Sequence, residues 1–122
     1  MTTPGTTPQT TAQTTTPGVP YVTDEAFAEE VLRADVPVLV QFTAQWCPSC
    51  KQLTPVLGAL AAELGDRVRA VRLDVDHNPQ TTVAHGVLAV PTLLVFQDGE
   101  PVRSVVGARS KARLLRDLDG VI

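Results

Sequence analysis

The sequence predicts an α/β domain in which helices cover both faces of a mixed β-sheet. Three observations support this prediction: apolar runs rich in β-branched residues alternate with segments of helical periodicity, an Asp-Gly turn joins the last two apolar runs, and one more helical segment follows them. Alternating strands and helices favour parallel pairing, whereas a tight turn between two strands requires antiparallel pairing. We therefore expect a central sheet that contains both kinds of pairing.

The first strand is expected at residues 19–22, and Pro20 favours an edge position because proline cannot donate a ladder hydrogen bond. Thr23 can cap the helix that follows, and the acidic residues after it suit the positive end of that helix. This helix turns three apolar side chains towards the core, namely Phe27, Val31 and Leu32. A nearly continuous apolar run then predicts a buried second strand at residues 38–42.

The second helix follows Cys47 and is the longest one expected. Its apolar residues recur at helical spacing, at Leu53, Val56, Leu57, Leu60 and Leu64. Pro55 removes one backbone donor and should bend this helix. A third strand is expected at residues 68–75, and Asn78-Pro79 begins a short third helix that ends near Gly86.

The last three elements form a hairpin and a helix. A fourth strand at residues 91–96 and a fifth at residues 102–106 flank Asp98-Gly99, a dipeptide that favours a two-residue hairpin turn. Ser110 can cap the fourth helix, which places three leucines on one face, at Leu114, Leu115 and Leu118. The complete expectation is a central mixed five-stranded sheet flanked by four helices.

We expect residues 1–18 to be a disordered Thr/Pro-rich tail and residues 19–122 to form one domain. The first segment consists largely of Thr, Pro, Gln and Gly, and no charged residue occurs before Asp24. It cannot bury enough apolar surface to offset the entropy lost on ordering. It also lacks the basic start and apolar centre of a secretory signal, so a glycosylated stalk on an exported protein is the weaker interpretation.

Composition argues against several classes of function. The 122-residue chain carries ten Lys and Arg residues against thirteen Asp and Glu residues, a formal charge of −3, which gives no electrostatic basis for binding nucleic acid or an anionic membrane. No apolar run is long enough to span a membrane. Two cysteines are too few for a disulfide-stapled secreted scaffold. These features favour an intracellular protein, and we expect it to be cytoplasmic. We also expect a monomer.

The chemistry of the chain centres on its only two cysteines, Cys47 and Cys50, at the junction of the second strand and the second helix. Unpaired amide groups and the positive end of the helix dipole stabilise a thiolate at such a position. An accessible thiolate with a second thiol three residues further on has the equipment for thiol–disulfide exchange.

Two other interpretations of the cysteine pair are weaker. A Cys-x-x-Cys pair can supply half of a zinc site, but four ligands are normally needed, and the histidines, His77 and His85, lack the paired spacing of zinc ligands. We therefore expect no metal and interpret both histidines as surface or helix-end residues. A purely structural disulfide is also disfavoured, because so short a loop removes little chain entropy when it closes.

These motifs resemble those of the thioredoxin family, over about residues 19–122. The run from Trp46 to Lys51 resembles the redox motif at the start of the second helix, and Val90-Pro91-Thr92 resembles the cis-proline loop that faces it. Val106-Gly107 resembles the glycine that keeps the substrate groove shallow. The resemblance implies a thioredoxin fold and a protein-disulfide reductase that needs no cofactor beyond its own disulfide.

The resemblance also implies roles for individual residues. Cys47 would attack a substrate disulfide, and the more buried Cys50 would then attack Cys47 and release the reduced substrate. Pro91 would be cis, and the backbone of Val90 would pair with an extended substrate chain. The substrate groove would comprise five residues, Trp46, Pro48, Val90, Pro91 and Gly107. The implied partners are protein disulfides and a thioredoxin reductase that is linked to NADPH.

One departure from the family lies below the motif. Gln41 occupies the position, one before the strand phenylalanine, where thioredoxins usually carry a buried aspartate. The aspartate is implied to accept the proton of the buried cysteine, and an amide cannot do so because it does not ionise. Arg72 resembles the lysine that normally accompanies this acid. The two replacements bear on proton handling at Cys50 and not on the fold.

The second departure lies within the motif, where Cys-Pro-Ser-Cys replaces the usual Cys-Gly-Pro-Cys. Pro48 suits the first helical turn, where a missing N–H costs little. The Ser49 amide and hydroxyl and the Cys50 amide become candidate donors to Cys47, which would favour the reduced form and make the disulfide a better oxidant. The Ser49 hydroxyl could instead face water, and Lys51 is interpreted as a supporting, solvated helix residue. The alternative function is a thioredoxin-fold oxidase or isomerase, or a redox-sensing module that binds a partner.

Overall fold

Residues 19–122 are described by a computed structural model, and the tail expected at residues 1–18 lies outside the described residues. This part of the chain contains four strands, three α-helices and two short turns of other helical types. Their order is a π-helical turn (Ala28–Leu32), β1 (Val38–Thr43), α1 (Pro48–Leu64), a 3-10 turn (Gly65–Arg67), β2 (Arg69–Asp74), α2 (Pro79–Ala84), β3 (Thr92–Gln97), β4 (Glu100–Val106) and α3 (Lys111–Asp117). Within residues 19–122, no helix combines the length and apolarity needed to cross a membrane.

The four strands form one sheet in the spatial order β2-β1-β3-β4. β1 is parallel to β2, whereas β1 pairs with β3, and β3 with β4, in the antiparallel direction. The predicted mixed sheet is therefore confirmed. The hairpin between β3 and β4 turns at Asp98-Gly99, whose φ angles of 52° and 81° are the positive values that a type I′ turn requires.

The sheet has four strands rather than the expected five, because residues 19–22 make only a single β-bridge. Tyr21 forms this parallel bridge with Arg72 at the outer edge of β2. The Val22 amide donates to the Arg72 carbonyl at 2.7 Å, and the Arg72 amide donates to the Pro20 carbonyl at 2.8 Å. Pro20 itself has no amide hydrogen, and the turn that follows leads the chain away from the sheet. Residues 19–22 lie at the edge of the sheet as expected, but only one residue pair of the predicted strand forms, between Tyr21 and Arg72.

Helical segments occur at all four predicted places, but the first is a short π-helical turn. Thr23 does not cap this segment as predicted: its Oγ1 accepts from the Ala26 amide at 3.3 Å in the preceding turn, and the N-cap of the π-helical turn is Phe27, without a side-chain hydrogen bond. α1 continues through Pro55, and the bend expected at this residue stays a prediction. Ser110 Oγ accepts from the Arg113 amide at 3.2 Å and caps α3 as expected.

Two apolar clusters lie on opposite faces of the sheet. The face under α1 and α3 contains buried leucines, among them Leu39, Leu57, Leu60, Leu114 and Leu118. The other face packs against the π-helical turn through Phe27, Val38, Val40, Phe42 and Phe96. Side chains alternate along β1, so Gln41 lies on the same face as Leu39. This alternation places an amide under α1, close to the two cysteines.

Asp24 ties the N-terminal turn to α2. Its carboxylate accepts hydrogen bonds from the amides of Gln80 at 3.2 Å and Thr81 at 2.9 Å, and its own amide donates to Asn78 Oδ1 at 2.8 Å. The first-turn amides of a helix have no partner within it, so Asp24 caps α2 from a distant part of the sequence. Burial raises the pKa of Asp24, but the hydrogen bonds from Thr81 and Gln80 outweigh it, and the pKa lies below its ordinary value of 3.8.

We expect Asp24→Asn to lower the free energy of unfolding at pH 7 by about 0.5–1 kcal/mol, because a negative charge is removed from the N-terminus of α2 at a partly exposed site. A carboxylate with a depressed pKa contributes its stability above the unfolded-state pKa and loses it as pH falls. The difference between parent and variant should therefore shrink below about pH 4. Urea unfolding at pH 7 and pH 3 tests this, with the exposed Glu25→Gln as control. A loss of equal size at both pH values would contradict the assignment.

Candidate active site

The two cysteines lie where β1 gives way to α1. Cys47 is the N-cap of α1, with extended backbone angles, and Pro48 is the first helical residue. The Cys47 amide donates to the Ala44 carbonyl at 3.2 Å, and the Lys51 amide donates to the Cys47 carbonyl at 3.3 Å. These bonds form the strand-to-helix turn that the sequence predicted. They fix Cys47 at the positive end of the α1 dipole.

Cys47 and Cys50 are joined by a disulfide, with their Cα atoms 5.3 Å apart. The Cys50 amide donates to Cys47 Sγ at 3.1 Å, so the first turn of α1 supplies a donor to this sulfur. In this oxidised state both residues are almost fully covered, Cys47 being 3% and Cys50 1% exposed. Once the disulfide is reduced, the amide and the helix dipole both stabilise a thiolate at Cys47.

The two residues between the cysteines, Pro48 and Ser49, lie in the first turn of α1. Pro48 occupies the first turn of α1, where its missing amide hydrogen would have had no helical partner. Ser49 Oγ lies 3.6 Å from Cys47 Sγ, a separation at which a hydroxyl can donate to sulfur. Of the two interpretations of the Ser49 hydroxyl, the geometry therefore favours the one in which it faces Cys47. Lys51 is exposed on the surface of α1.

The Val90–Pro91 peptide bond is cis, as the resemblance implies. Val90 packs against the small cluster that contains Cys47 and Cys50. The Gly107 amide donates to the Pro91 carbonyl at 2.8 Å, which joins the end of β4 to this loop. Gly107 has a φ of +94°, a conformation that side chains with a Cβ atom rarely adopt. Three segments that are distant in sequence therefore meet here: the turn with the disulfide, the loop with Val90 and Pro91, and the end of β4 at Gly107.

Trp46 forms one wall of an apolar hollow beside the cysteines. Its side chain is 66% exposed, and its Nε1 donates to Asp76 Oδ2 at 2.8 Å. The hollow has a volume of about 180 Å³, and its lining includes Trp46, Val75, Val87, Leu88 and Val90. Leu88 is 97% exposed and lines the same hollow as Trp46, so the two side chains form part of one exposed apolar patch. The surface next to the disulfide is therefore apolar and open to solvent.

Asp76 was not anticipated from the sequence. The loop after β2 is ordered by Asp74, whose Oδ1 accepts hydrogen bonds from the amides of Asp76 at 2.9 Å and His77 at 3.3 Å. This order fixes the Asp76 carboxylate where it accepts from Trp46, thirty residues away in the sequence. No local pattern connects an aspartate after one strand with a tryptophan after another. Asp76 therefore positions the Trp46 ring without touching either cysteine.

Asp76→Ala is expected to lower kcat/KM for protein disulfides about three- to tenfold, because the loss of one hydrogen bond to a charged acceptor frees the Trp46 ring. Trp46 is the only tryptophan in the sequence, so its fluorescence anisotropy reports this freedom directly. Asp76→Asn, which keeps an acceptor oxygen, is the matched control and should retain most of the anisotropy. Unchanged anisotropy in Asp76→Ala would show that the hydrogen bond does not hold the ring.

Gln41 lies beneath the first turn of α1 and is completely buried. Its Nε2 donates to the Cys50 carbonyl at 3.1 Å. Thr54 Oγ1 lies 3.1 Å from both Gln41 Oε1 and the Cys50 carbonyl, and can donate to either. Both the nitrogen and the oxygen of the Gln41 side-chain amide are therefore within hydrogen-bond distance of groups of α1. Sequence reasoning missed Thr54, although a polar residue four positions after Cys50 falls on the same helical face.

Arg72 stands opposite Gln41 in the pairing of β1 with β2, but its side chain is engaged elsewhere. Its Nε donates to the Val19 carbonyl at 2.9 Å, and its guanidinium lies 4.0 Å from the centre of the Tyr21 ring. Within residues 19–122, no ion pair joins Arg72 to a carboxylate. A backbone carbonyl and an aromatic face therefore stabilise the charge in place of an acid.

The two histidines occupy the peripheral positions expected for them. His85 is the C-cap of α2, and its ring packs at 5.5 Å and 5.1 Å from the rings of Phe27 and Phe96. His77 is largely exposed and lies beside Asp74, with a distance of 3.2 Å from Nδ1 to Oδ1. The interpretation of both as surface or helix-end residues is confirmed.

Comparison with known proteins identifies the family. The thioredoxin family model matches residues 18–120. Thioredoxin of Mycobacterium tuberculosis (strain ATCC 25618 / H37Rv) is 48% identical over 101 residues, which cover 83% of this chain and 87% of that protein. Thioredoxin of Streptomyces clavuligerus is 47% identical over 95 residues, covering 78% and 88%. A bifunctional thioredoxin reductase/thioredoxin of Mycobacterium leprae is 46% identical over 101 residues, covering 83% of this chain and 22% of that protein. The chain therefore belongs to the thioredoxin family, and its Cys47–Cys50 disulfide is the redox-active pair of a protein-disulfide oxidoreductase.

Proposed function

We propose that this thioredoxin reduces protein disulfides with Cys47 as the attacking cysteine and Cys50 as the resolving cysteine. The observation that carries this assignment is the position of Cys47 as the N-cap of α1, with the Cys50 amide 3.1 Å from its sulfur. A thiolate is stabilised there by the helix dipole and by the amide, whereas Cys50 lies one turn inside the helix.

The reaction then takes two exchange steps. The Cys47 thiolate attacks one sulfur of the substrate disulfide, a mixed disulfide forms, and the other substrate sulfur leaves as a thiolate. Cys50, after losing its proton, attacks Cys47 Sγ and expels the second substrate thiolate. The substrate gains two electrons, and the protein is left with the Cys47–Cys50 disulfide seen in the structure. The reaction needs no cofactor on this chain.

The substrate is proposed to lie across the loop that carries Val90 and Pro91. An extended chain can pair with the backbone of Val90, while Trp46 and Pro48 border it on one side and Gly107 on the other. The apolar hollow beside Trp46 supports the binding of an apolar residue next to the substrate disulfide.

We further propose that a thioredoxin reductase linked to NADPH returns the disulfide to the dithiol. The Mycobacterium leprae relative supports this proposal, because its name joins a thioredoxin reductase and a thioredoxin in one protein. We place the reaction in the cytoplasm, the compartment in which thiols are kept reduced, and propose that the protein acts as a monomer.

The test of this function is reduction of insulin by the full chain with NADPH and a bacterial thioredoxin reductase. Turnover of insulin with matching consumption of NADPH is the expected result. Reduction by dithiothreitol in place of the reductase is the control, because it separates a failure of the reductase partnership from a failure of disulfide exchange. If neither reductant supports turnover, the proposed function is wrong.

An oxidase or isomerase is the second candidate, and the donors around Cys47 favour it. Ser49 Oγ and the Cys50 amide both face Cys47 Sγ, and each stabilises the thiolate and hence the reduced form. Equilibration with glutathione distinguishes the candidates. A reductase is expected near the potential of about −270 mV that is typical of thioredoxin, whereas a value above about −180 mV would favour the oxidase or isomerase.

A further inference from the structure

Arg109 lies at the rim of the proposed substrate groove. Its Nη1 atom is 3.5 Å from the position that a Cβ atom on Gly107 would occupy. The Gly107 amide donates to the Pro91 carbonyl at 2.8 Å, so the guanidinium stands next to the loop across which substrate would lie. Only one residue separates Arg109 from Gly107, so the Arg109 backbone also lies close to this loop.

The guanidinium of Arg109 is anchored on one edge only. Its Nε lies 3.5 Å from Asp117 Oδ2, and its side chain is 32% exposed. Both of these atoms are covered, and neither forms a hydrogen bond with the described part of the chain, so this ion pair does not use all the donors of the arginine. Within residues 19–122, neither Nη atom of Arg109 donates a hydrogen bond to another residue.

The surroundings of Arg109 carry excess positive charge. Between residues 100 and 119 there are five cationic residues, Arg103, Arg109, Lys111, Arg113 and Arg116, and three acidic ones, Glu100, Asp117 and Asp119. Lys111 is neutralised by Glu63 at 2.6 Å. Arg113 Nε lies 3.6 Å from Asp117 Oδ1, and Arg103 Nη1 donates to the Asp117 backbone carbonyl. One carboxylate is thus shared by two arginines, and the cluster retains a net positive charge although the chain as a whole is acidic.

A small hollow opens beside this cluster. Its volume is about 200 Å³, and its lining includes Arg103, Val106, Arg109 and Asp117. Sites for small-molecule ligands usually have volumes of about 300–1,000 Å³, so this hollow suits a single side chain better than a cofactor. A guanidinium offers two parallel N–H groups that match the two oxygens of a carboxylate.

We propose that Arg109 binds the carboxylate of an aspartate or glutamate that flanks the disulfide of a protein substrate. This inference rests on the proposed function, because it names the class of substrate that the same groove selects. The Nη edge of Arg109 donates to the carboxylate, while Asp117 holds the Nε edge and keeps the guanidinium at the rim. A lysine at the same substrate position is repelled by the cluster.

The test uses disulfide peptides that are identical except for one flanking residue, Glu, Gln or Lys, scanned over the two positions on each side of the reacting cysteine. For the parent protein at low salt, we expect kcat/KM to be about five- to tenfold higher with Glu than with Gln at one of these positions, and lower with Lys than with Gln. The preference should weaken at high salt, because the site is partly exposed. If the parent protein has a Glu/Gln ratio of kcat/KM near one at every scanned position, the proposal is overturned, and no variant is needed to show it.

Two variants and a control locate the effect. Arg109→Gln should bring the Glu/Gln ratio close to one. Arg109→Lys should give an intermediate ratio, because lysine keeps the charge but lacks the two parallel N–H groups of the guanidinium. Arg116→Gln is the matched control, since it removes the same charge from the exposed surface of α3 and leaves the two ion pairs of Asp117 in place, and it should keep the parental ratio. An Arg109→Gln protein that keeps the parental ratio would assign the preference elsewhere. If no peptide is reduced by the parent, the proposed function fails, whereas reduction without preference refutes only the carboxylate site.

Discussion

Cys47→Ser is expected to abolish disulfide reduction, whereas Cys50→Ser should capture substrates as stable mixed disulfides. Without Cys47, no thiolate remains at the N-cap of α1 to begin the exchange. Without Cys50, the first step still occurs, but no second sulfur lies close enough to attack Cys47. Turnover should fall below detection in both variants, so only the trapping result distinguishes the roles of the two cysteines.

The measurement is mass spectrometry of each variant after incubation with a disulfide-bonded peptide, before and after addition of dithiothreitol. Cys50→Ser should gain one peptide mass, and the reductant should release it. Cys47→Ser should remain unmodified, because Cys50 lies inside the first turn of α1, whereas the helix dipole and the Cys50 amide stabilise a thiolate only at the N-cap position of Cys47. A double variant lacking both cysteines controls for non-covalent binding. An adduct on Cys47→Ser and none on Cys50→Ser would reverse the two roles.

Local signals in the sequence predicted most of the fold. The Asp98-Gly99 turn and the Ser110 cap depend on residues a few positions apart, and both occur as expected. The strand at residues 19–22 did not form in full, because a strand needs a partner along its whole length. Its apolar residues matched the pattern, but only Tyr21 is bridged to β2. Sequence patterns describe one segment at a time and do not report how far two segments run together.

The residues of the candidate site also fall into two groups, those marked by a local motif and those whose role depends on distant residues. Cys47 and the loop at Pro91 are recognisable because their motifs are compact, and the fold brings them together. Asp76 and Arg109 carry no motif, since their roles depend on which distant residue the fold places beside each. A hydrogen bond from Trp46 selects Asp76 among several surface aspartates. Such residues become visible only when the backbone has been placed.

Gln41→Asp is expected to accelerate resolution of the mixed disulfide near neutral pH and to give that step a new pH dependence. Gln41 is buried and donates to the Cys50 carbonyl, so an acid at this position would lie next to the first turn that carries Cys50. Burial raises the pKa of a carboxyl group. Arg72 could counter this, but its guanidinium is held by the Val19 carbonyl and the Tyr21 ring. The introduced acid should therefore titrate at or above ordinary carboxyl values and can accept the proton of Cys50.

The same variant should be less stable than the parent. The carboxylate cannot donate to the Cys50 carbonyl, and a charge replaces a neutral amide in a dry site, so we expect a loss of about 1–3 kcal/mol. Because the pKa of the introduced acid is raised in the folded state, this loss grows as pH rises from the unfolded-state pKa of about 3.9 to the folded-state pKa, and it is constant above that. Thr54 Oγ1 can still donate to the new group, which limits the loss.

Stopped-flow measurement of the second exchange step from pH 6 to 9 decides whether an internal acid matters in this protein. Gln41→Asn is the matched control, because it has the size of aspartate and the neutrality of the parental amide. A faster step in Gln41→Asp alone identifies proton acceptance as the cause, whereas equal acceleration in both variants points to the shorter side chain. Superimposable rate profiles for the parent and Gln41→Asp would mean that deprotonation of Cys50 never limits the reaction. Solvent would then reach Cys50 fast enough, and a buried amide at Gln41 would serve stability without slowing exchange.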